Sequence, residues 1–308
     1  MLKTGRREEE REVDKKAVAA AVAVTVIMGL TFLASSELLI HANSFECAAI
    51  RWTFALVSML ALMALGLVKI HFKGKQWRKA APVALCQPCI YAVCELEGIR
   101  MTTVAESAVI LALVPIAVAL ISAIFFKVKI SKIVGTSIVV SFIGVLMTID
   151  YSEGFGGQTI GILILFAAVI TGAMYSITSE RASGFFEAND LAFVQCIAGG
   201  IFYNIVVLLR GEWTETYSIM VHHPTVILAG LYLGLICSAI GYILWNYVLS
   251  RIPAHISSVF IANGITLIGI WIGIFFRGEH ISSMAVIGMV LIIAGVVGVS
   301  RGRRSPDD

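Results

Sequence analysis

Phe125-Phe126-Lys127-Val128-Lys129-Ile130-Ser131 returns 150 residues later as Phe275-Phe276-Arg277-Gly278-Glu279-His280-Ile281-Ser282, with one residue inserted. The same spacing carries Ser107 onto Ser257 and Val109 onto Val259. After the insertion, Gly144-Val145 falls on Gly295-Val296. Nearer the N-terminus, Gly29…Ser36-Glu37 falls on Gly172…Ser179-Glu180. Separate anchors kept in one order read as an internal repeat.

Outward from that phrase the chain is a succession of apolar runs between short polar breaks. Ten can be drawn, at 17–36, 47–68, 80–99, 104–126, 133–149, 159–178, 191–209, 225–249, 254–276 and 282–300. A transmembrane helix needs about 20 apolar residues to cross ~30 Å of hydrocarbon, and continuous rather than alternating runs favour helices over barrel strands. Composition agrees: 58% of the 308 residues are hydrophobic and 14% are charged, where a soluble domain carries about 25%. With a mean hydropathy of +0.91, a soluble enzyme, a disordered chain and a secreted disulfide scaffold are all excluded. The six cysteines (Cys47, Cys86, Cys89, Cys94, Cys196 and Cys237) fall in apolar runs and read as small buried hydrophobes. The first run is not a signal peptide, because the tail before it mixes acids with bases.

Each half of the repeat holds five runs. Five is odd, so the second half is expected to enter the membrane upside down, as in alternating-access transporters whose substrate sits near the midplane. The expected fold is therefore an all-α membrane protein of ten helices in two inverted five-helix repeats, at 17–149 and 159–300, with charged tails at 1–16 and 301–308. Lys and Arg set the orientation. With the N-terminus inside, nineteen fall on the inner side: Lys3, Arg6, Arg7, Arg11, Lys15, Lys16, Lys69, Lys73, Lys75, Arg78, Lys79, Lys127, Lys129, Lys132, Arg181, Arg251, Arg301, Arg303 and Arg304. Only Arg100, Arg210 and Arg277 fall outside, and Arg51 lies within a run. Both termini are thus expected in the cytoplasm and the chain in the cytoplasmic membrane, with the lipid bilayer as a partner. Basic residues confined to short loops give no nucleic-acid surface.

The layout, together with Gly29-Leu30-Thr31-Phe32, Leu244-Trp245-Asn246-Tyr247, Ala254-His255-Ile256-Ser257-Ser258, Gly278-Glu279 and Gly288…Ala294-Gly295-Val296, resembles the EamA branch of the drug/metabolite transporter superfamily. The resemblance runs from 17 to 300. It implies a ten-helix secondary transporter, with amino acids or related metabolites as the substrate class. The first half departs from the pattern by carrying Lys129 where the family's glycine-glutamate turn has an acid. It keeps Pro115, whereas the second half has Gly264-Ile265 in place of the family's proline.

Charges inside spans are costly and mark function or pairing. Arg51, Glu95, Glu97 and Glu106 qualify. Glu97 and Glu106 read as interfacial. Arg51 and Glu95 are opposite in sign, on adjacent spans, each the fifth residue from its boundary and so ~6–8 Å deep at about 1.5 Å per residue. They are either a gating ion pair or a charge pair that meets a zwitterion, a cation or a proton. Gln87, Tyr91 and Glu95 share one helix face, and Pro88 among them is expected to bend the helix and free the carbonyl of residue 84. In the second half Tyr242, Trp245 and Asn246 occupy the equivalent span, with Tyr175, Gln195 and Asn263 expected nearby. Arg51 aligns with Gln195, and Glu95 with Trp245. An aromatic and acidic lining suits an ammonium group. Gly157/Gly161, Gly230/Gly234 and Gly269/Gly273 are small-residue spacings for close helix contact.

No Gly-x-Ser-x-Gly, His-Glu-x-x-His or phosphate-binding glycine loop is present, so no enzyme, cofactor or metal is expected. The reading that follows is export or exchange of a small polar metabolite by alternating access, driven by a proton or substrate gradient. A multidrug or organic-cation efflux protein, and a membrane scaffold subunit, stay open beside it. Oligomeric state, monomer or homodimer, is not encoded in any of these features.

Overall fold

The computed structural model describes residues 15–71, 75–126, 132–148, 157–252, 254–279 and 282–302, and among them every regular element is helical. The elements are α1 (Lys15–Leu38), α2 (Ser44–Ala64), α3 (Ala81–Ala84), α4 (Tyr91–Met101), α5 (Val104–Leu111), α6 (Val114–Phe126), α7 (Lys132–Thr148), α8 (Gly157–Ala182), α9 (Ala188–Leu209), α10 (Trp213–His222), α11 (Pro224–Leu231), α12 (Tyr242–Arg251), α13 (Ala254–Arg277) and α14 (Ser283–Gly302). A short 3₁₀ turn, Trp77–Ala80, leads into α3. Two segments are wound more widely, as π-type turns: Leu85–Ile90 between α3 and α4, and Tyr232–Gly241 between α11 and α12.

Seven helical stretches among the described residues are long and apolar enough to cross a bilayer: Lys15–Leu38, Ser44–Ala64, Val104–Phe125, Gln158–Ala182, Ala188–Leu209, Pro224–Arg251 and Phe260–Arg277. Gly135–Gly144 and Val286–Gly298 are shorter apolar helices. The run at 80–99 yields no long helix, because its backbone is interrupted at Gln87. The molecule is a multi-pass, all-helical membrane protein. Of the phrase repeated at 125–131 and 275–282, residues 127–131 and 280–281 lie outside the described residues, as do most of the charged tails.

Helix starts are encoded locally. Asn43 Oδ1 accepts from the backbone N–H of Phe45 (3.0 Å) and Glu46 (3.1 Å), while Asn43 N donates to Glu46 Oε2 at 2.8 Å, a reciprocal cap on α2. Thr103 and Glu106 do the same for α5. On α9, Asp190 Oδ2 accepts from Glu187 N at 2.8 Å. Asp190 is fully buried, and it also takes His71 N at 3.2 Å and the ammonium of Lys75, which fastens the segment after α2 to the start of α9. At the other rim Arg210 hydrogen-bonds Glu212 and holds its carboxyl below the usual carboxylate range.

Helices of the first half pack mainly on helices of the second: α1 on α13, α2 on α9 and the Tyr232–Gly241 turn, α4 on α8, α5 on α13, and α7 on α14. Small residues permit the closest approaches. A Cβ on Gly234 would sit 2.2 Å from Phe54 Cβ and 2.7 Å from Ala55 N, so α2 passes over backbone there. A Cβ on Gly269 would meet Ala108 Cβ at 2.4 Å, and one on Gly161 would meet Met101 Cβ at 2.7 Å. The core holds Trp52, Ile50, Met59, Tyr203 and Leu191 at its centre, with a second cluster around Phe32, Ile110, Leu165 and Ile272. Val22, Val26, Leu163, Ile170 and Leu208 stay exposed on outward faces, where hydrocarbon is their natural solvent.

Candidate functional site

The interruption in the third apolar run is the first element of the site. Pro88 has no N–H to continue the ladder, and Gln87 takes a non-helical backbone (φ −137°, ψ 112°). The carbonyls around the break are answered from α9. Gln195 Nε2 donates to Gln87 O at 3.4 Å, and Tyr203 OH donates to Pro88 O (3.1 Å) and Cys89 O (2.9 Å). Deep in an apolar protein such carbonyls need a protein partner.

The Tyr232–Gly241 turn stands at the repeat position of that break, 150 residues on, and contains no proline. Its partner is Arg51 on α2. Arg51 Nε donates to Ser238 Oγ at 3.0 Å, and Nη2 to Cys237 Sγ at 3.3 Å. Nη1 reaches Glu95 Oε2 on α4 at 3.4 Å. Glu95 also accepts from Tyr91 OH at 3.1 Å. Arg51 and Glu95 are 1% and 9% exposed, deeper than their place in the apolar runs indicates. Helix α2 begins at Ser44 and α4 ends at Met101, which puts them ~9–10 Å from the helix ends. Cys237 is more than a small hydrophobe, since it meets Thr31 Oγ1 at 3.0 Å as well as the guanidinium.

Around this pair lies a cavity of about 80 Å³. Arg51, Gln87, Tyr91 and Glu95 line it from the first half, and Tyr175, Tyr242 and Trp245 from the second. The Gln87 side-chain amide donates to Tyr242 OH. Tyr242 stacks on Trp52 with centroids 5.8 Å apart, Tyr175 meets Tyr242 edge-on at 6.0 Å, and Trp245 lies 6.2 Å from Tyr175. Ala108, Leu111, Ala112, Val114, Ala262 and Ile265 add an apolar part to the lining. The space is small beside the ~300–1,000 Å³ of drug-sized pockets.

Three expected lining residues stand elsewhere. Asn246 and Gln195 are wholly buried behind the wall. Asn246 Oδ1 accepts from Tyr175 OH (3.0 Å) and Ser179 Oγ (2.7 Å), and Asn246 Nδ2 donates to Gln195 Oε1 at 2.9 Å. They hold the lining rather than form it, because side-chain amides on adjoining helices satisfy one another before reaching the cavity. Asn263 is outside the lining as well; Ala262 faces the cavity in its place, and Asn263 Oδ1 has no hydrogen-bond partner among the described residues. Glu97 and Glu106 lie outside it too, bonded to Arg100 and Ser44, and to Gln158.

Four small hydroxyl residues that sequence reasoning passed over do line the cavity: Thr31, Ser176, Ser258 and Thr266. Hydroxyls within apolar helices read as bonded to their own backbone, and Thr31, Ser176 and Thr266 are so bonded. Ser258 Oγ, Gln87 Oε1 and Trp245 Nε1 are buried without a partner among the described residues. The spacing of Ser258, Ala262, Ile265 and Thr266 on one helix face was the available signal.

The model of the EamA-like transporter family matches residues 15–149 and again residues 159–301. The chain belongs to the EamA-like transporter family. Among individual proteins, this EamA-like transporter is 27% identical over 290 residues to the uncharacterized transporter YcxC of Bacillus subtilis, across 92% of each chain. It is 23% identical over 205 residues to the "Probable terminal-alkyne amino-acid exporter" of Streptantibioticus cattleyicolor, across 64% of this chain and 65% of that one. A solved crystal structure with 16% identity superposes with a TM-score of 0.66 over 95% of this chain and 98% of the other, a likeness of fold.

Proposed function

We propose that the protein is a secondary transporter that exports or exchanges small polar metabolites, amino acids or their close relatives, across the cytoplasmic membrane by alternating access. The observation that carries this is the buried Arg51–Glu95 pair on the wall of a cavity built from both halves. A zwitterion carries the same two charges. Its carboxylate would meet the Arg51 fork and its ammonium would meet Glu95, with Tyr91, Tyr175, Tyr242 and Trp245 offering aromatic faces to the cation. The amino-acid exporter among the relatives supports the substrate class. A proton or a counter-substrate would supply the energy.

The reading includes ten spans in two inverted repeats, 17–149 and 159–300. Its support is a pairing of helices that survives exchange of the halves. As α1 packs on α13, α8 packs on α5 and α6; as α4 packs on α8, α12 packs on α1; and α2 packs on α9, its own counterpart. The two wide turns 150 residues apart obey the same exchange. Both termini are placed in the cytoplasm on the distribution of Lys and Arg. External cysteine labelling should then reach position 158 and miss position 76, and labelling of 76 from outside would overturn the orientation.

The deciding experiment is uptake into proteoliposomes with unlabelled competitors spanning amino acids, amines, purines and sugar phosphates. Competition by amino acids is expected. Competition by organic cations alone would favour the second reading, a cation efflux protein, for which the aromatic cluster beside Glu95 is the specific observation. No uptake of any class would leave the scaffold reading.

A further inference from the structure

At the end of α13 the chain turns at Gly278, whose φ of 64° lies in the left-handed region that glycine enters freely. The turn brings Glu279 N back to Gly273 O at 3.0 Å and aims the Glu279 carboxylate at the N-terminus of α5. Oε1 accepts from Val104 N at 2.7 Å and Oε2 from Ala105 N at 3.0 Å. The neighbouring amides are already answered, Thr103 N by Glu106 and Glu106 N by Thr103 Oγ1. Glu279 therefore completes the cap of a first-half helix from the second half. Free amides and the positive end of a helix both favour an ionised acid there. Two residues earlier Arg277 points the other way. It donates to Ser36 Oγ at 2.8 Å and Leu33 O at 3.5 Å, and pairs with Glu37 at 3.4 Å, at the end of α1.

One short turn thus ties α1 and α5 to α13, and all three line the cavity further down, through Thr31, Ala108 and Ile265. The tie is reachable by water. A solvent-open crevice lined by Ser36, Arg100, Thr102, Arg277 and Glu279 lies against it, so water can take over the Val104 and Ala105 amides when the carboxylate leaves. The repeat-related start of α13 differs. The N-terminus of α13 gives Ala254 N to Glu180 Oε2 at 3.1 Å, and Glu180 belongs to the same half. Where the second half has Glu279, the first has Lys129, an ammonium that cannot accept an amide.

The geometry points to the Arg277–Glu279 turn as a latch that holds the cavity shut at the end of α1 away from Lys15, the Lys75–Asp190 tie lying at the other end. This rests on the alternating-access reading. Its consequence is that access from that end requires the Glu279 carboxylate to leave the Val104 and Ala105 amides.

The test is access rather than transport. Ile265→Cys is placed on a background lacking the six native cysteines, reconstituted in one orientation, and treated with a membrane-impermeant maleimide from the latch side. Glu279→Gln should speed labelling at least tenfold, Arg277→Gln severalfold, and Glu180→Gln not at all. Glu279→Asp keeps the charge but shortens the reach, and should fall between parent and Glu279→Gln. Should Glu279→Gln fail to fold, as judged by size-exclusion chromatography, Glu279→Asp and Arg277→Gln carry the test. Labelling no faster than the parent in the folded latch variants overturns the latch, as does equal acceleration by Glu180→Gln. Accelerated labelling in a protein that transports no metabolite would leave the latch standing and remove the transport reading alone.

Discussion

Leu85–Ile90 and Tyr232–Gly241 occupy matching places in the two halves, and they are irregular for different reasons. The first contains Pro88 and is held by neutral groups, Gln195 and Tyr203. The second has Ser238 where the proline would be and is held by a guanidinium, Arg51. In the sequence alignment of the halves Arg51 falls on Gln195, one on α2 and one on α9. Each pins the irregular turn of the opposite half and reaches on to a side chain in the helix beyond, Arg51 to Glu95 and Gln195 to Asn246. A wide turn thus stands at both places, with a proline in one and a charged cross-half donor against the other. One scaffold position has become a charged brace at the cavity wall in one half and a neutral brace behind the wall in the other.

The comparison can be broken most severely at the charged brace. Arg51→Gln strands Glu95 in the interior, and loss of one partner of a buried pair costs about 3–5 kcal/mol. A large fall in melting temperature is expected, and the double variant with Glu95→Gln should recover more than half of it. Gln195→Leu, at the neutral brace, should cost only about 1–3 kcal/mol, the range for leaving an uncharged buried group unsatisfied. Equal losses in the two melting curves would erase the distinction between the braces. Glu95→Gln keeps the size and the hydrogen-bonding capacity of the side chain but leaves the Arg51 guanidinium unpaired, so its uptake is read per folded protein. A fall of tenfold or more is expected, at least about 1.4 kcal/mol, and near-normal uptake would show that the pair only supports the fold.

Much of this was legible before any coordinates. Long apolar runs gave membrane helices because backbone groups in hydrocarbon must bond within their own segment. The 17–36 and 159–178 runs reappear within α1 and α8 with ends shifted by a few residues. Gln87, Tyr91 and Glu95 were marked by helical spacing, and Tyr242 and Trp245 by the repeat. Gln195 and Asn246 were marked by the repeat and Asn263 by its polarity within a span, and neither signal distinguishes a side chain facing a cavity from one facing another amide. Thr31, Ser176, Ser258 and Thr266 stayed hidden because a hydroxyl is nearly invisible among apolar residues until a facing helix is known. The irregular turn at 232–241 had no sequence mark at all. The partner that holds its side chains lies on α2, in a guanidinium nearly 200 residues away in sequence.

The pairing of Arg51 with Glu95 has an electrical consequence. A unit charge moved across a membrane gains or loses about 2.3 kcal/mol per 100 mV. Arg51 and Glu95 lie 3.4 Å apart and carry no net charge together. A zwitterion seated beside them adds none. A carrier that reorients with such a load shifts almost no charge through the field, so the membrane voltage neither drives nor opposes that step. For that step the force left is chemical, the gradient of the cargo and of whatever is coupled to it.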